Sequence, residues 1–472
     1  MENKCLVWFR KDLRLHDNPA INAAKEYQQV YPIYIMDDDI YENKYLGSAS
    51  IWWLKNSLKS LNFDMKNTLK VVHGDSLKII PTICEDLKIN AVFWNRCYEF
   101  DRVTKDKKLK EYLLSNNIEA KSFNANLLWE PWTIKNKSGN PYKVFTPFYK
   151  SGCLQSVVPR KPIKKPEKIS FKKIKTNLKE HKFSHINQKD HWSNKFLKYW
   201  EVGEIAANKT FDRFLENGAK NYSTGRNFPS TENVSRLSPY LHWGEISPFE
   251  VWYQANNKMY GENKKVFLSE IGWREFSYHL LYNFPSLQEE NLKSNFNSFP
   301  WEEDHILLKK WEKGLTGYPI VDAGMRELWE TGYMHNRVRM ITSSFLVKNL
   351  LLNWKHGKNW FWDCLLDADA ASNSASWQWV AGTGTDATPF FRIFNPITQS
   401  QKFDENANYI KKYLPELQNL PTKMVFSPFE HDKSVLKNYG VVLGENYPFP
   451  IIDYSESRKR ALNSYTNFIS NN

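Results

Sequence analysis

Five short apolar runs, Lys4–Phe9, Val30–Met36, Leu69–Val72, Ala91–Trp94 and Glu119–Phe123, alternate with helical patterns at about Ser48–Leu61, Ser76–Leu87 and Arg102–Leu114. Runs of β-branched and aromatic residues bounded by turn signals read as strands. Their alternation with helices is the rhythm of an open parallel sheet with helices on both faces. From about Glu201 the pattern becomes helical, with segments near Ile205–Glu216, Pro248–Met259, Lys265–Tyr282, Ile306–Lys313, Val321–Thr331, Asn336–Asn349 and Trp360–Leu366. At 472 residues the chain is too long for one compact core. The expected architecture is α/β plus all-α: a doubly wound, Rossmann-like domain over 1–131, a linker over 132–200, and a helical domain over 201–472 that closes in a Pro-rich, polar tail after Leu414.

The linker holds ten Lys/Arg against two acidic residues between Arg160 and Lys182. It reads as a solvated connector rather than a nucleic-acid track, because Phe171 alone gives bases little to stack on. The net charge of +13 nevertheless favours a polyanionic partner, nucleic acid before an anionic membrane. Five scattered cysteines without Cys-x-x-Cys argue for a reducing compartment and against a disulfide framework or structural zinc. The N-terminus does not read as a signal peptide, and no apolar run approaches the ~20 residues of a membrane span. A soluble, intracellular protein is expected.

The segment Asp367-Ala-Asp369-Ala-Ala-Ser-Asn373-Ser-Ala-Ser-Trp377-Gln-Trp379 sets two carboxylates, an amide and two indoles among small residues. Small residues let a flat ligand approach the backbone, and the indoles add an oxidisable π system, which suits a redox cofactor. An EF-hand fails here, since Ala371, Ser372 and Gln378 fill its fifth, sixth and twelfth positions. Glu270, Trp273 and Arg274 share one helical face by their spacing, as do Asn336, Arg339 and Met340. These stripes are too polar for a core; a surface ion pair beside a packing Trp is the plainer reading of the first. Arg339 suits Asp367 or Asp369, because buried carboxylates need partners. Ser235-Arg236-Leu237-Ser238 leads from a Gly- and hydroxyl-rich loop into a helix, a junction that holds phosphates well or is simply a capped helix start. No Gly-x-Gly-x-x-Gly, Walker A, Gly-x-Ser-x-Gly or His-Glu-x-x-His occurs, so hydrolytic and metal chemistry lack support.

Taken together, Trp8-Phe-Arg-Lys-Asp-Leu-Arg-Leu-His-Asp-Asn-Pro, Ser235-Arg-Leu-Ser-Pro, Thr316-Gly-Tyr-Pro-Ile-Val-Asp-Ala-Gly-Met, Met334-His-Asn-Arg-Val-Arg-Met and Phe391-Arg-Ile-Phe-Asn-Pro resemble, in order, the motifs of the DNA photolyase/cryptochrome family. The likeness is strongest to bacterial-type class I cyclobutane pyrimidine dimer photolyases. It implies an antenna domain, a connector, and a helical domain holding FAD. It implies that excited, reduced FAD passes an electron to a flipped-out dimer in UV-damaged DNA, splits it and recovers the electron. Tyr222, Ser235, Arg236, Leu237, Ser238, Arg274, Arg339, Asp367, Asp369 and Asn373 match flavin-binding positions, with Asn373 facing flavin N5. Glu270, Trp273, Asn336, Met340 and Trp379 match the lesion pocket, and Arg226, Arg337 and Gln399 match DNA contacts. Trp377, Trp354 and Trp301 match the electron-hopping chain.

Val234 stands where many relatives carry Thr. Asp101-Arg102 stands where folate-binding relatives often carry Asn-Glu, which counts against folate as a second, antenna chromophore and leaves a deazaflavin, a flavin or an empty site open. A cytoplasmic monomer acting on DNA is expected. A signalling cryptochrome, a (6-4) photolyase with His335 as its catalytic histidine, and a dark flavin oxidoreductase are the rival readings. Asn373 favours repair, because plant-type receptors usually carry Asp there and animal-type ones Cys.

Overall fold

The computed structural model describes residues 2–37, 46–178, 191–387 and 389–470. Residues 179–190, which include the end of the basic run at Lys182, lie outside the described residues. The chain forms two compact units. The first comprises Met1–Lys220, Ser235–Pro285 and Leu366–Ala370; the second comprises Asn221–Val234, Ser286–Leu365 and Ala371–Asn472.

In the first unit, β1 (Lys4–Phe9), β2 (Gln29–Met36), β3 (Lys70–His73), β4 (Ala91–Asn95) and β5 (Glu119–Phe123) form a parallel sheet in the order β3-β2-β1-β4-β5. The order runs outward from β1 to β3 and then reverses to β4 and β5. With right-handed crossovers, that reversal puts helices on both faces. All of β4 and all but the first residue of β1 are buried, as a sheet covered twice requires. The third strand starts one residue later than its apolar run suggests, because the Leu69 N–H donates to Asn62 Oδ1.

The loop leaving β1 is fastened by Arg14, which is 1% exposed. Its guanidinium donates to the carbonyls of Asp17, Ala125 and Gly244 at 2.8 Å each through its terminal nitrogens. Gly244 has φ +70°, and a Cβ there would lie 2.1 Å from the Lys11 carbonyl oxygen, so only glycine admits the loop. The connector is not simply solvated: Phe171 bridges to Val30, with Val30 N–H donating to Ser170 and Lys172 N–H to Val30.

In the second unit, helices Pro319–Thr331 and Asn336–Ser344 pack together, Trp329 of the first stacks on Trp360 of helix Trp354–Cys364, and helix Ala370–Ala381 follows in the chain. Asp322 organises the entry to the first of these, accepting from Thr316 N–H, Thr316 Oγ1, Gly317 N–H and Tyr447 OH. The helix expected to run to Asn349 leaves α geometry at Ser344 and ends in a π-helical turn, Phe345–Asn349. The expected polar tail contains a helix, Tyr454–Ser470. Its Ala461 and Phe468 pack with Phe296, Phe299, Leu351 and Phe390, an apolar stripe too sparse to stand out in sequence. Among the described residues, no helix is long and apolar enough to cross a membrane.

Glu245 is fully buried beside Gly244, with Trp53 Nε1 donating to Oε2 at 2.9 Å. Burial pushes its carboxyl up from 4.5 to about 8, with that hydrogen bond opposing. A carboxyl raised in the folded state contributes stability that is fully present below its unfolded value and is lost as pH rises through about 8. Glu245→Gln keeps the shape without the ionisation. In denaturant melts near pH 5.5 and about pH 8.5, the variant's stability relative to wild type should improve by about 2 kcal/mol or more at the higher pH. A pH-independent difference would exclude the raised carboxyl.

Candidate functional site

In the first unit, Arg236 takes a left-handed conformation, φ +53°, uncommon for a residue with a side chain. Its guanidinium lies 4.3 Å from the Trp200 ring centroid, which helps to hold the loop. The loop delivers Ser235 and Ser238 to the start of helix Ser238–Trp243, where Pro239 supplies a first-turn residue with no N–H of its own. First-turn N–H groups and nearby hydroxyls are natural partners for phosphate.

Asp369 receives Tyr278 OH at 2.5 Å and His242 Nδ1 at 3.4 Å, with Lys11 Nζ 3.9 Å away. Burial opposes its ionisation, but the His242 hydrogen bond and the Lys11 charge hold it well below the usual carboxylate range. Burial and the Lys11 charge also lower the His242 pKa, and its buried Nε2 has no hydrogen-bond partner among the described residues. Asp367 is buried too. The chemistry of this donor set, a hydroxyl-lined helix start, an ionised buried carboxylate and an unused imidazole nitrogen, fits a ligand carrying both phosphates and polar ring or sugar groups.

Arg274, Glu270 and Trp273 lie on helix Gly261–Asn283. Arg274 donates to Asn126 O at 2.7 Å and meets Glu275 at 3.2 Å. Burial raises the Glu275 carboxyl to about 7, with Arg274 opposing. Trp273 is half-buried and stacks face to face on Phe145 at 3.7 Å.

In the second unit, Asn373 is 9% exposed and its Nδ2 donates to Lys358 O at 3.1 Å, which fixes the amide's orientation. Trp377 is buried against Phe361 and Trp311, whereas Trp379, separated from it by Gln378, is half-buried. Next-but-one residues on a helix face different ways, so the two indoles have different surroundings. Trp377 also packs against helix Trp354–Cys364 at Gly357, while Trp354 Nε1 donates to Asn291 Oδ1 at 2.9 Å. Trp301 packs on Phe299 at 4.5 Å, and a Glu302–Leu352 bridge ties its segment to the residues entering that helix.

Tyr222 is buried with Arg226 over its ring at 5.7 Å. Arg337 donates to Asn227 Oδ1 at 2.5 Å, approaches Met340 Sδ at 3.8 Å and lies over Phe403 at 4.4 Å. Arg339 donates to Met334 O. Burial first, and the charges of Arg337, Arg339 and Arg226 after it, lower His335 to about 3. It is therefore a neutral ring that caps its helix by accepting from Arg337 N–H. Asn336 is exposed and Gln399 is half-buried.

The structure thus gathers Ser235, Arg236, Leu237, Ser238, Glu270, Trp273, Arg274, Asp367 and Asp369 in the first unit, and the other expected residues in the second. Sequence reasoning missed Lys11, His242 and Tyr278 as partners of Asp369. Lys11 lies inside a motif already singled out and His242 shortly after one, but neither spacing nor composition links them. Among the described residues, no cluster of His, Cys, Asp and Glu could hold a metal ion.

A model of the FAD-binding domain of DNA photolyase matches residues 267–467, and a model of DNA photolyase matches residues 5–167. The chain is 43% identical over 470 residues to the deoxyribodipyrimidine photo-lyase of Agrobacterium fabrum, covering 98% of this chain and 97% of that one. It is 35% identical over 470 residues to cryptochrome-1 of Arabidopsis thaliana, covering 96% of this chain and 69% of that one. The crystal structure of a bacterial class III photolyase from Agrobacterium tumefaciens matches with a TM-score of 0.94 at 43% identity, covering 100% of this chain and 98% of that one.

A Cβ at Gly357 would lie 2.0 Å from Trp377 Cη2. Gly to Ala inside an exposed helix ordinarily stabilises by roughly 0.5–1 kcal/mol. Gly357→Ala should instead destabilise the protein by about 1–3 kcal/mol, because a rigid indole must move. It should also change the near-UV circular dichroism. Denaturant melts giving a stabilised variant would show that Trp377 does not occupy this notch.

Proposed function

The chain belongs to the DNA photolyase/cryptochrome family, and on that premise we propose that it is a deoxyribodipyrimidine photo-lyase that splits cyclobutane pyrimidine dimers in UV-damaged DNA. It carries the family's FAD-binding domain. The observation that carries the repair reading is the buried Asn373 amide, fixed by the Lys358 carbonyl at the position where receptors usually carry Asp or Cys. Within the family, the 43% identity to a class III photolyase supports that subclass in place of the class I likeness.

When bound, FAD reduced and excited by blue light would supply the electron that opens the cyclobutane ring and would take it back. The protein's part is binding, orientation and electron supply. Ser235, Arg236, Leu237 and Ser238 hold the diphosphate, and Asp367, Asp369, Arg274, Tyr222 and Arg339 fix the remainder of the cofactor. The ionised Asp369 accepts hydrogen bonds throughout the working pH range. Asn373 would present its amide to flavin N5, and Trp377, Trp354 and Trp301 would pass electrons inward. Glu270 hydrogen-bonds the dimer and Trp273 stacks on it; Asn336, Met340 and Trp379 share the lesion-contacting role. Arg226, Arg337 and Gln399 contact the DNA, the two arginines giving a salt-dependent phosphate contribution to affinity.

The proposal includes a second, antenna chromophore of open identity, a division into 1–131, 132–200 and 201–472, and a monomer that works in the cytoplasm with the DNA. The test is blue light on reduced protein with a dimer-containing oligonucleotide. Light-dependent recovery of thymines is expected, and its failure with flavin bound would overturn the reading. A signalling cryptochrome would bind the lesion weakly and change a protein partner's binding in light. Glu270→Ala should slow repair by roughly tenfold while leaving flavin content unchanged; flavin loss without a repair defect in the loaded fraction would move Glu270 to the cofactor.

A further inference from the structure

The half-exposed indole of Trp273 has one face covered. Phe145 lies against it with ring centroids 3.7 Å apart and planes 9° from parallel. Behind Phe145, Tyr149 continues the stack at 5.6 Å and 8°. Phe276 braces the ladder from the side, edge-on to Phe145 at 5.9 Å and 68°, and to Trp273 at 5.9 Å and 75°. The far ring is seated by Gly272, the residue before Trp273, where a Cβ would lie 2.6 Å from Tyr149 Cδ2. The helix that presents Trp273 therefore also makes the notch that seats the last ring of the stack supporting it.

Phe145 and Tyr149 come from the short helix Phe145–Pro147 and the π-helical turn Phe148–Cys153 that follows it. The π-turn supplies a local geometry that an α-helix would not, a device frequent at functional sites. Phe145 is 8% exposed, so the ladder is anchored in the interior and only its last rung reaches outward.

We propose that Phe145 is a positioning residue for lesion recognition. It covers one face of Trp273, fixes the indole plane, and leaves the opposite face as the platform on which an unstacked pyrimidine dimer rests. The inference rests on the reading of Trp273 as a lesion-stacking residue. A flat ring that is already oriented loses little freedom when a base stacks on it, and the gain appears as affinity for the flipped-out lesion. DNA without a lesion does not use the platform.

The test compares wild type, Phe145→Leu, Phe145→Tyr and Trp273→Ala as flavin-loaded holoproteins. Binding in the dark to one oligonucleotide, with and without a single thymine dimer, is measured by fluorescence anisotropy. Phe145→Leu is expected to weaken dimer binding by about 3- to 10-fold while leaving undamaged-DNA binding and flavin content at wild-type levels. Phe145→Tyr, which keeps the ring, should restore dimer binding. The double variant Phe145→Leu with Trp273→Ala should bind no worse than Trp273→Ala alone, because the two act through one platform. Wild-type dimer affinity in Phe145→Leu, with Trp273→Ala defective, would overturn the positioning role. So would a loss shared equally by damaged and undamaged DNA. Wild-type dimer affinity in Trp273→Ala would instead remove the reading of Trp273 on which the inference rests.

Discussion

A guanidinium stays charged at any pH a protein survives, so burying one demands acceptors for its donors. Arg14 meets that demand with three backbone carbonyls from Asp17, Ala125 and Gly244. Those carbonyls belong to the loop after β1, the segment after β5 and the end of helix Ser238–Trp243. One buried cation thereby fixes the carboxyl edge of the sheet against the helix that follows the proposed diphosphate loop. The glycine at 244 and the raised carboxyl of Glu245 are local consequences, since both are enclosed where these segments meet.

A line of alternating charge runs beside that junction. Arg102 approaches Glu99, Glu99 pairs with Lys11 at 2.5 Å, and Lys11 reaches toward Asp369, which receives His242. Burial opposes ionisation at Glu99, yet the Lys11 and Arg102 charges bring it down to about 2. A buried charge of either sign is costly alone, and the carboxylates of Glu99 and Asp369 are kept ionised by the groups beside them. The carboxylate at 369 owes its charge partly to a lysine in the first loop of the chain. That dependence ties the loop after the first strand to a residue proposed to bind the cofactor and placed far from it in the sequence.

The sheet was legible because its central strands are apolar runs that alternate with helical patterns; even the bounds of β1 and β5 follow from the sequence. The helix carrying Asn373, Trp377 and Trp379 was recognisable by chemistry rather than by amphipathicity, as small residues and indoles in one segment are a poor core. The terminal helix was not legible, since two buried apolar residues, Ala461 and Phe468, seven positions apart leave no stripe to detect. Nor were the partners of Asp369. Lys11, His242 and Tyr278 lie far apart in sequence, and only the fold converts them into one cluster. The linker's Phe171 looked too isolated for a stacking role; pairing of its backbone with β2 gives it a structural one.

The first unit draws on three separate stretches of chain, and that gives its assembly a schedule as well as a shape. Synthesis proceeds from the N-terminus, and early segments form structure before late ones exist. The sheet's strands leave the ribosome well before Gly244 supplies an acceptor for Arg14, and earlier still than Asp369. Until then the edge of the nascent sheet carries solvated cations over an unfinished surface. Closure of the first unit therefore waits for residues that are synthesised well after its sheet.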